Sequence, residues 1–332
     1  MSDPLGNGEK PDAAERKKTP ICPSGRPQTR SRFERSQRGE RGGFILTERD
    51  ETLLTDLFTH GLMDRGQIQE LYFSSVPRCN ARLRQLFDHG YVTRAFAPNA
   101  PYGAQGQYRA GRAAARVIAA RLDLDAGEVR TICRTGADAP QYIEHTLAIV
   151  DFYLALRRAT GATAESAAVA APAVAAPAVS VSIETWLPEM LCRHEYKVRD
   201  ASGHWGAQVF KPDAFVRLEV QGQFWSYFVE IDRGHTSSGK FAEKLALHQR
   251  YGESGLFREM YGPESGAFRT LVVTTGERRR EHLQAIVEKA GSDLFWMTTF
   301  HSLEDEGALA PIWRVPGGRD PATLIPAWKG AY

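Results

Sequence analysis

The stretch YFVEIDRGHTSSGKFAEKLALHQRY, residues 227–251, ends an apolar run on two carboxylates and follows it with a row of polar side chains. Glu230 and Asp232 are two positions apart, so on an extended strand they face the same way. Lys240, Lys244, His248 and Tyr251 follow at spacings of four, four and three, which sets them along one stripe of a helix. Two kinds of chemistry suit such a set. The carboxylates could hold a hard divalent cation such as Mg²⁺ or Mn²⁺, with a lysine steadying the charge that develops on an attacked phosphate. Alternatively they cap the turn and pair with nearby cations such as Lys240 or Arg233, and the lysines only solvate an exposed helix. Both readings stand at this stage.

The neighbouring segments must position these residues. IETWLPEMLCRH (183–194) reads as a short helix opening on Glu184. The later part of HWGAQVFKPDAFVRLEV (204–220) alternates like a strand, and QFWSYFVEID (223–232) is a second one. The Gln221-Gly222 turn between them makes a hairpin. FRTLVVTTG (268–276) is a buried strand, RRREHLQAIVEKAG (278–291) a helix, and LFWMTTFHSL (294–303) a last strand. The order is that of an α/β sandwich around a mixed sheet.

A chain of 332 residues has room for two cores. Its four cysteines, at 22, 79, 133 and 192, form no CxxC pair, which argues against a zinc ribbon or a disulfide framework and suits a reducing cytoplasm. No apolar run reaches membrane-spanning length, so no membrane association is expected. Residues 1–43 read as a disordered basic arm: Arg16 to Arg41 holds nine Lys or Arg against Glu34 and Glu40. The Ala/Pro-rich stretch at 161–181 reads as a spacer. It separates a domain at 44–135, with a connecting helix at 136–160, from a second domain at 182–305. Residues 306–332 show no period and read as a tail.

In the first domain Thr47 caps a helix carrying Leu53, Leu54, Leu57 and Phe58, and Gly61 ends it. Asp64 opens a second helix with Ile68, Leu71 and Tyr72 inward. PRCNARLRQLFDHG forms a third, from Pro77 to Gly90, with Leu83, Leu86 and Phe87 on its apolar side. YVTRAFAPNAPYGAQGQYRA then alternates like two strands around a Pro/Gly turn. Three helices and a hairpin are the layout of a winged helix-turn-helix. Arg78, Asn80, Arg82, Arg84 and Gln85 offer the third helix the side chains that read base edges and phosphates. Arg94 and Arg109 flank the hairpin tip. Double-stranded DNA is the expected partner, with docking of a protein as the alternative. GRAAARVIAARL (111–122) is a further helix. QYIEHTLAIVDFYLALRRAT (141–160) carries one apolar stripe, suited to the domain or to a second copy as a homodimer. His145 on it reads as a packing or capping residue.

The hairpin with Pro212-Asp213, the strand carrying Glu230, and the flanking helices resemble the PD-(D/E)XK, or restriction-endonuclease-like, core. KPDA (211–214), VEIDRG (229–234) and the KL…Y helix (244–251), combined with the N-terminal reader, resemble the replication-relaxation family of plasmid and mobile-element proteins. The resemblance implies a role in plasmid or mobile-element DNA replication or mobilisation, and the cysteine usage and lack of an apolar span lead to the expectation of a cytoplasmic protein. Its α+β fold would join a winged helix to a nuclease-like domain that cleaves or nicks DNA with Mg²⁺ or Mn²⁺. Under it, Asp213, Glu230 and Asp232 are the metal and catalytic carboxylates, with Glu184 a fourth candidate. In the nuclease pattern a lysine stands where this chain has Asp232; Lys244, then Lys240, is its expected replacement. A non-catalytic accessory factor, or a transcriptional regulator using a retired nuclease fold, is the alternative.

Overall fold

Thr47 accepts a hydrogen bond from the Asp50 amide while the Asp50 carboxylate accepts one from the Thr47 amide, and this reciprocal box starts α1 (Glu48–Thr59). In the computed structural model, which describes residues 44–96, 105–135, 140–161, 180–199, 204–262 and 266–325, the same device recurs at Asp64 and Gln67. It opens α2 (Arg65–Tyr72) beside the two-residue strand β1 (Met63–Asp64). Pro77 in the first turn of α3 (Val76–Asp88) removes an amide that would have no partner there. Strands β2 (Val92–Ala95) and β3 (Gln107–Ala110) pair antiparallel, and the sheet order is β1-β3-β2. The expected hairpin tip, the basic arm and most of the Ala/Pro spacer lie outside the described residues.

A short turn leads to α4 (Ala115–Leu122), then α5 (Ala126–Thr135) and α6 (Pro140–Ala159). Helix α6 packs against both halves of the chain. Val150 and Leu154 join the core of α1–α4, whereas Ala148, Ile149, Phe152 and Leu156 join the core beneath the second sheet. Ile143 and Leu147 of the expected stripe are half-buried.

The second half departs from the sequence reading at its start. Residues 183–194 are not a helix: β4 (Val181–Pro188) runs antiparallel to β7 (Ala214–Val220), from Val181 opposite Val220 to Pro188 opposite Ala214. Ile183, Leu187 and Leu191 recur at a helical spacing of four, but Val181, Ile183, Thr185 and Trp186 are strand formers and the open edge of β7 decides the matter. A ribbon of β5 (His194–Arg199) and β6 (Trp205–Phe210) follows. Gln221 and Gly222, both at positive φ (52° and 78°), then turn β7 into β8 (Gln223–Asp232), as the hairpin reading requires. Helices α7 (Ser238–Glu253) and α8 (Leu256–Tyr261) lead to β9 (Phe268–Thr274), α9 (Glu277–Lys289) and β10 (Phe295–Thr299). The sheet order is β10-β9-β8-β7-β4, parallel from β10 to β8 and antiparallel beyond.

The last strand is shorter than expected, because Thr299 caps α10 (Phe300–Glu306). Of the expected tail, the described residues 307–325 pack onto the fold: Ala308, Ile312, Trp313 and Leu324 are buried in the core under the sheet. The described chain is mixed α and β, with ten α-helices and three sheets among the described residues.

The two halves meet around Trp186. Its indole N–H donates to His60 Nε2 at 3.0 Å and its ring stacks on Tyr153, while His60 Nδ1 lies 2.9 Å from the Asp56 carbonyl. Nε2 must stay unprotonated to accept. Burial depresses the His60 pKa below its ordinary 6.5, against the raising influence of Asp56. Below that pH the unfolded chain binds a proton that the folded chain resists, so this contribution is complete above about pH 6.5 and is lost as pH falls. The thermal midpoint of His60→Gln, which keeps an acceptor, should depend less on pH between 7.5 and 5.5 than that of the wild type. An identical pH slope in the two proteins would count against the bond.

Candidate functional site

Alternation along β8 sends Val229 and Ile231 to the α6 side of the sheet and Phe228, Glu230 and Asp232 to the α7 and α9 side. Asp213 stands just before β7, its amide bonded to the Val229 carbonyl of the neighbouring strand. All three carboxylates are buried: Asp213 is 7%, Glu230 3% and Asp232 5% exposed. Buried carboxylates need partners, and each has them inside the chain.

Glu230 receives Lys244 Nζ on one oxygen and His248 Nε2, at 2.7 Å, on the other. His248 Nδ1 lies 2.8 Å from Thr270 Oγ1, so a buried line runs Thr270–His248–Glu230–Lys244. Asp213 Oδ2 accepts the Ile231 amide at 2.7 Å, and Oδ1 lies 3.1 Å from His145 Nε2 on α6. Burial alone would raise the Asp213 pKa, but Lys244, His145 and the Ile231 amide together bring it down to about 2. Burial likewise disfavours the Lys244 ammonium, and the charges of Glu230 and Asp213 outweigh that and hold its pKa above the usual lysine value. Asp232 binds Arg279 through both oxygens, at 2.7 and 3.0 Å, and Thr274 Oγ1 at 2.8 Å. The burial that raises its pKa is outweighed by Arg279 and Thr274.

The structure thus brings Asp213, Glu230 and Lys244 together, with Asp232 alongside on its own arginine. Lys240 sits exposed in the first turn of α7. Glu184 lies on β4, not on a helix, and binds Arg217 at 2.6 and 2.9 Å. Arg217 is four residues along β7 from Asp213, a strand distance of roughly 13 Å. Sequence reasoning missed His145 as a partner of Asp213, and Arg279 altogether. His248 was visible as the next member of the Lys240–Lys244 stripe; Arg279, one of three consecutive arginines, carried no such signal.

A divalent metal would need carboxylate oxygens turned to a common open point. Here every oxygen of Asp213, Glu230 and Asp232 faces a cation, an imidazole or an amide. Among the described residues no group of three or more His, Cys, Asp or Glu is placed to hold a metal. The folded cluster does not fit such an ion.

The side chains expected to contact DNA divide into two groups. Arg78, Asn80, Arg84 and Gln85 are exposed on the outer side of α3, opposite Cys79, Leu83 and Leu86. Arg84 stands 3.9 Å from Asp88, and Arg78 makes a 3.3 Å bond to Ser74. Arg82 turns inward instead. Its Nε donates to Asp50 at 3.0 Å, a terminal nitrogen donates to the Ile45 carbonyl at 2.8 Å, and the guanidinium lies over the Phe44 ring. In the hairpin, Arg94 pairs across from Tyr108 and Arg109 from Thr93, so the two arginines point to opposite faces. Arg94 covers the rings of Phe87 and Phe96, whereas Arg109 lines a cleft toward the second half.

The described residues form a mixed α and β fold with a polar helix face in one half and a carboxylate–lysine cluster in the other. The family model described as replication-relaxation matches residues 54–264, and the chain belongs to that family. The family ties it to replication or mobilisation of plasmid or mobile-element DNA. No curated protein and no solved structure gave a match. Among the described residues no helix is long and apolar enough to cross a membrane.

Proposed function

We propose that the chain is a DNA-binding accessory factor of plasmid or mobile-element replication. Its N-terminal half acts as a winged helix holding duplex DNA, and its C-terminal half is a PD-(D/E)XK-like core that grips without cutting. The observation that carries the reading is the outer face of α3, where Arg78, Asn80, Arg84 and Gln85 stand exposed on a helix whose other side is buried in the domain core. Arg, Asn and Gln are the side chains that read base edges bidentately, and arginines also neutralise phosphates. Support comes from the helix–helix–helix–hairpin order and from the basic composition of residues 16–41. In the C-terminal half, internal cations neutralise the carboxylates that hydrolysis would require. The rival reading, metal-dependent nicking by Asp213 and Glu230 with Lys244, draws on the fact that Lys244 feels the charge of both acids.

One set of incubations tests both. In a gel shift with duplex DNA, Arg78→Ala/Arg84→Ala should weaken binding and reduce the dependence of log K on log salt by about 1 for each phosphate no longer neutralised. Supercoiled plasmid should stay supercoiled with wild-type protein in Mg²⁺ or Mn²⁺. Nicking that disappears in Glu230→Gln would replace this reading with the enzymatic one, and duplex binding indifferent to the α3 variant would remove the winged-helix assignment.

A further inference from the structure

A cleft of about 360 Å³ opens between the two halves, within the size range of small-ligand sites and at a junction where such sites concentrate. Its wall is apolar: Phe58 from α1, Ile132 from α5, Ile149 from α6 and Met190 from the turn after β4. Ile132 and Met190 are 46% and 38% exposed, so their side chains are open to a guest in the cleft. Cations stand around this wall. Arg109 comes from β3, and Arg193 and Lys211 flank the β5–β6 ribbon. Lys211 pairs with Glu189 at 2.5 Å and Arg193 with Glu195 at 2.6 Å. Both are half-exposed ion pairs that contribute little and can re-form on another anion.

A purely apolar guest would not engage the cations, and a small inorganic anion would leave the apolar wall uncovered. Both are satisfied by a flat apolar group that carries a phosphate. We propose that this cleft binds one nucleotide unit, free or within a single DNA strand, its base against Met190 and Ile132 and its phosphate at Lys211 and Arg193. Arg109 connects the site to the hairpin of the duplex-binding half. The proposal rests on the reading of the chain as a DNA-binding protein and extends it: duplex held on α3 would deliver a displaced strand to the cleft. Apolar packing of a base against such side chains reads no base edge, and the cations make binding sensitive to salt.

The test uses the full chain, a labelled oligothymidylate read by fluorescence anisotropy, and unlabelled thymidine monophosphate as competitor. The charge reversal Lys211→Glu/Arg193→Glu should weaken the oligonucleotide by about tenfold or more, and Met190→Ala by roughly threefold to tenfold. Duplex binding through α3 should stay within about twofold in Met190→Ala, and circular dichroism melts should confirm that both variants fold. Competition by the mononucleotide means that the cleft recognises the free unit; competition only by unlabelled strand means that the unit is read within a chain. Single-strand binding that is absent, or that survives both cleft variants and is lost only with Arg78→Ala/Arg84→Ala, overturns the proposal. A protein that ignores duplex DNA but still holds the mononucleotide through Lys211 and Arg193 keeps the cleft and removes the duplex-holding reading instead.

Discussion

Lys244→Met should destabilise the folded chain by about 3 kcal/mol, and adding Glu230→Gln should restore a large part of the loss. Glu230 is 3% exposed and Lys244 is its permanent cation; its other partner, His248, is bonded onward to Thr270. Removing the ammonium leaves an interior carboxylate with only the His248 imidazole as partner; breaking a buried pair this way typically costs about 3–5 kcal/mol. The Lys244 side chain is 36% exposed, so water screens part of its attraction and the lower end applies. Asp213 adds to the cost, since Lys244 also holds its pKa down. Glu230→Gln removes the stranded charge while keeping an acceptor for His248, so the two changes together should cost clearly less than the sum of each alone. Urea midpoints of the four proteins give the coupling energy. Simple additivity would mean that Lys244 and Glu230 do not form the pair described.

Arg82→Ala should cost about 3–5 kcal/mol of stability. Any effect on DNA should appear as loss of folded protein. Asp50 is fully buried, and its carboxylate is shared between the α1 cap and the Arg82 guanidinium. Truncating Arg82 leaves that charge to the Thr47 groups and also frees the Ile45 carbonyl and the Phe44 ring. Arg82→Lys should recover only part of the loss, because an ammonium cannot reproduce the fork that reaches Asp50 and Ile45 together. The contrast with the exposed α3 arginines is sharp. Arg78→Ala and Arg84→Ala should leave the melting temperature within a degree or two and alter only binding. An Arg82→Ala protein that melts like the wild type and fails only in the gel shift would return Arg82 to the surface that meets DNA.

Much of the fold was legible where the determinants are local. Thr47 and Asp50, and Asp64 and Gln67, mark two helix starts through bonds made within three residues, Pro77 marks a third by lacking an amide, and Gln221-Gly222 sets a hairpin through its own dihedral preferences. The run from Phe224 to Asp232 could be read as a strand because both its faces are buried, and the two-residue period aligned Glu230 with Asp232. The segment 183–194 misled because its leucine and isoleucine spacing fits a helix equally well; only the open edge of β7 selects the strand. Residues 308–325 lacked any period, since single side chains such as Trp313 fill gaps under the sheet without forming a long element.

From residue types and spacing alone came the acids, the lysine on the following helix, and a basic helix in the first half. The identity of each partner was settled only in three dimensions. Asp232 meets Arg279 across 47 positions, Asp50 meets Arg82 across 32, and His145 crosses from α6 to Asp213. Spacing along the chain governs which side chains share a face, because a helix or strand repeats its geometry locally. Which opposite charge arrives at that face depends on how separate elements pack, and burial then makes the pairing obligatory.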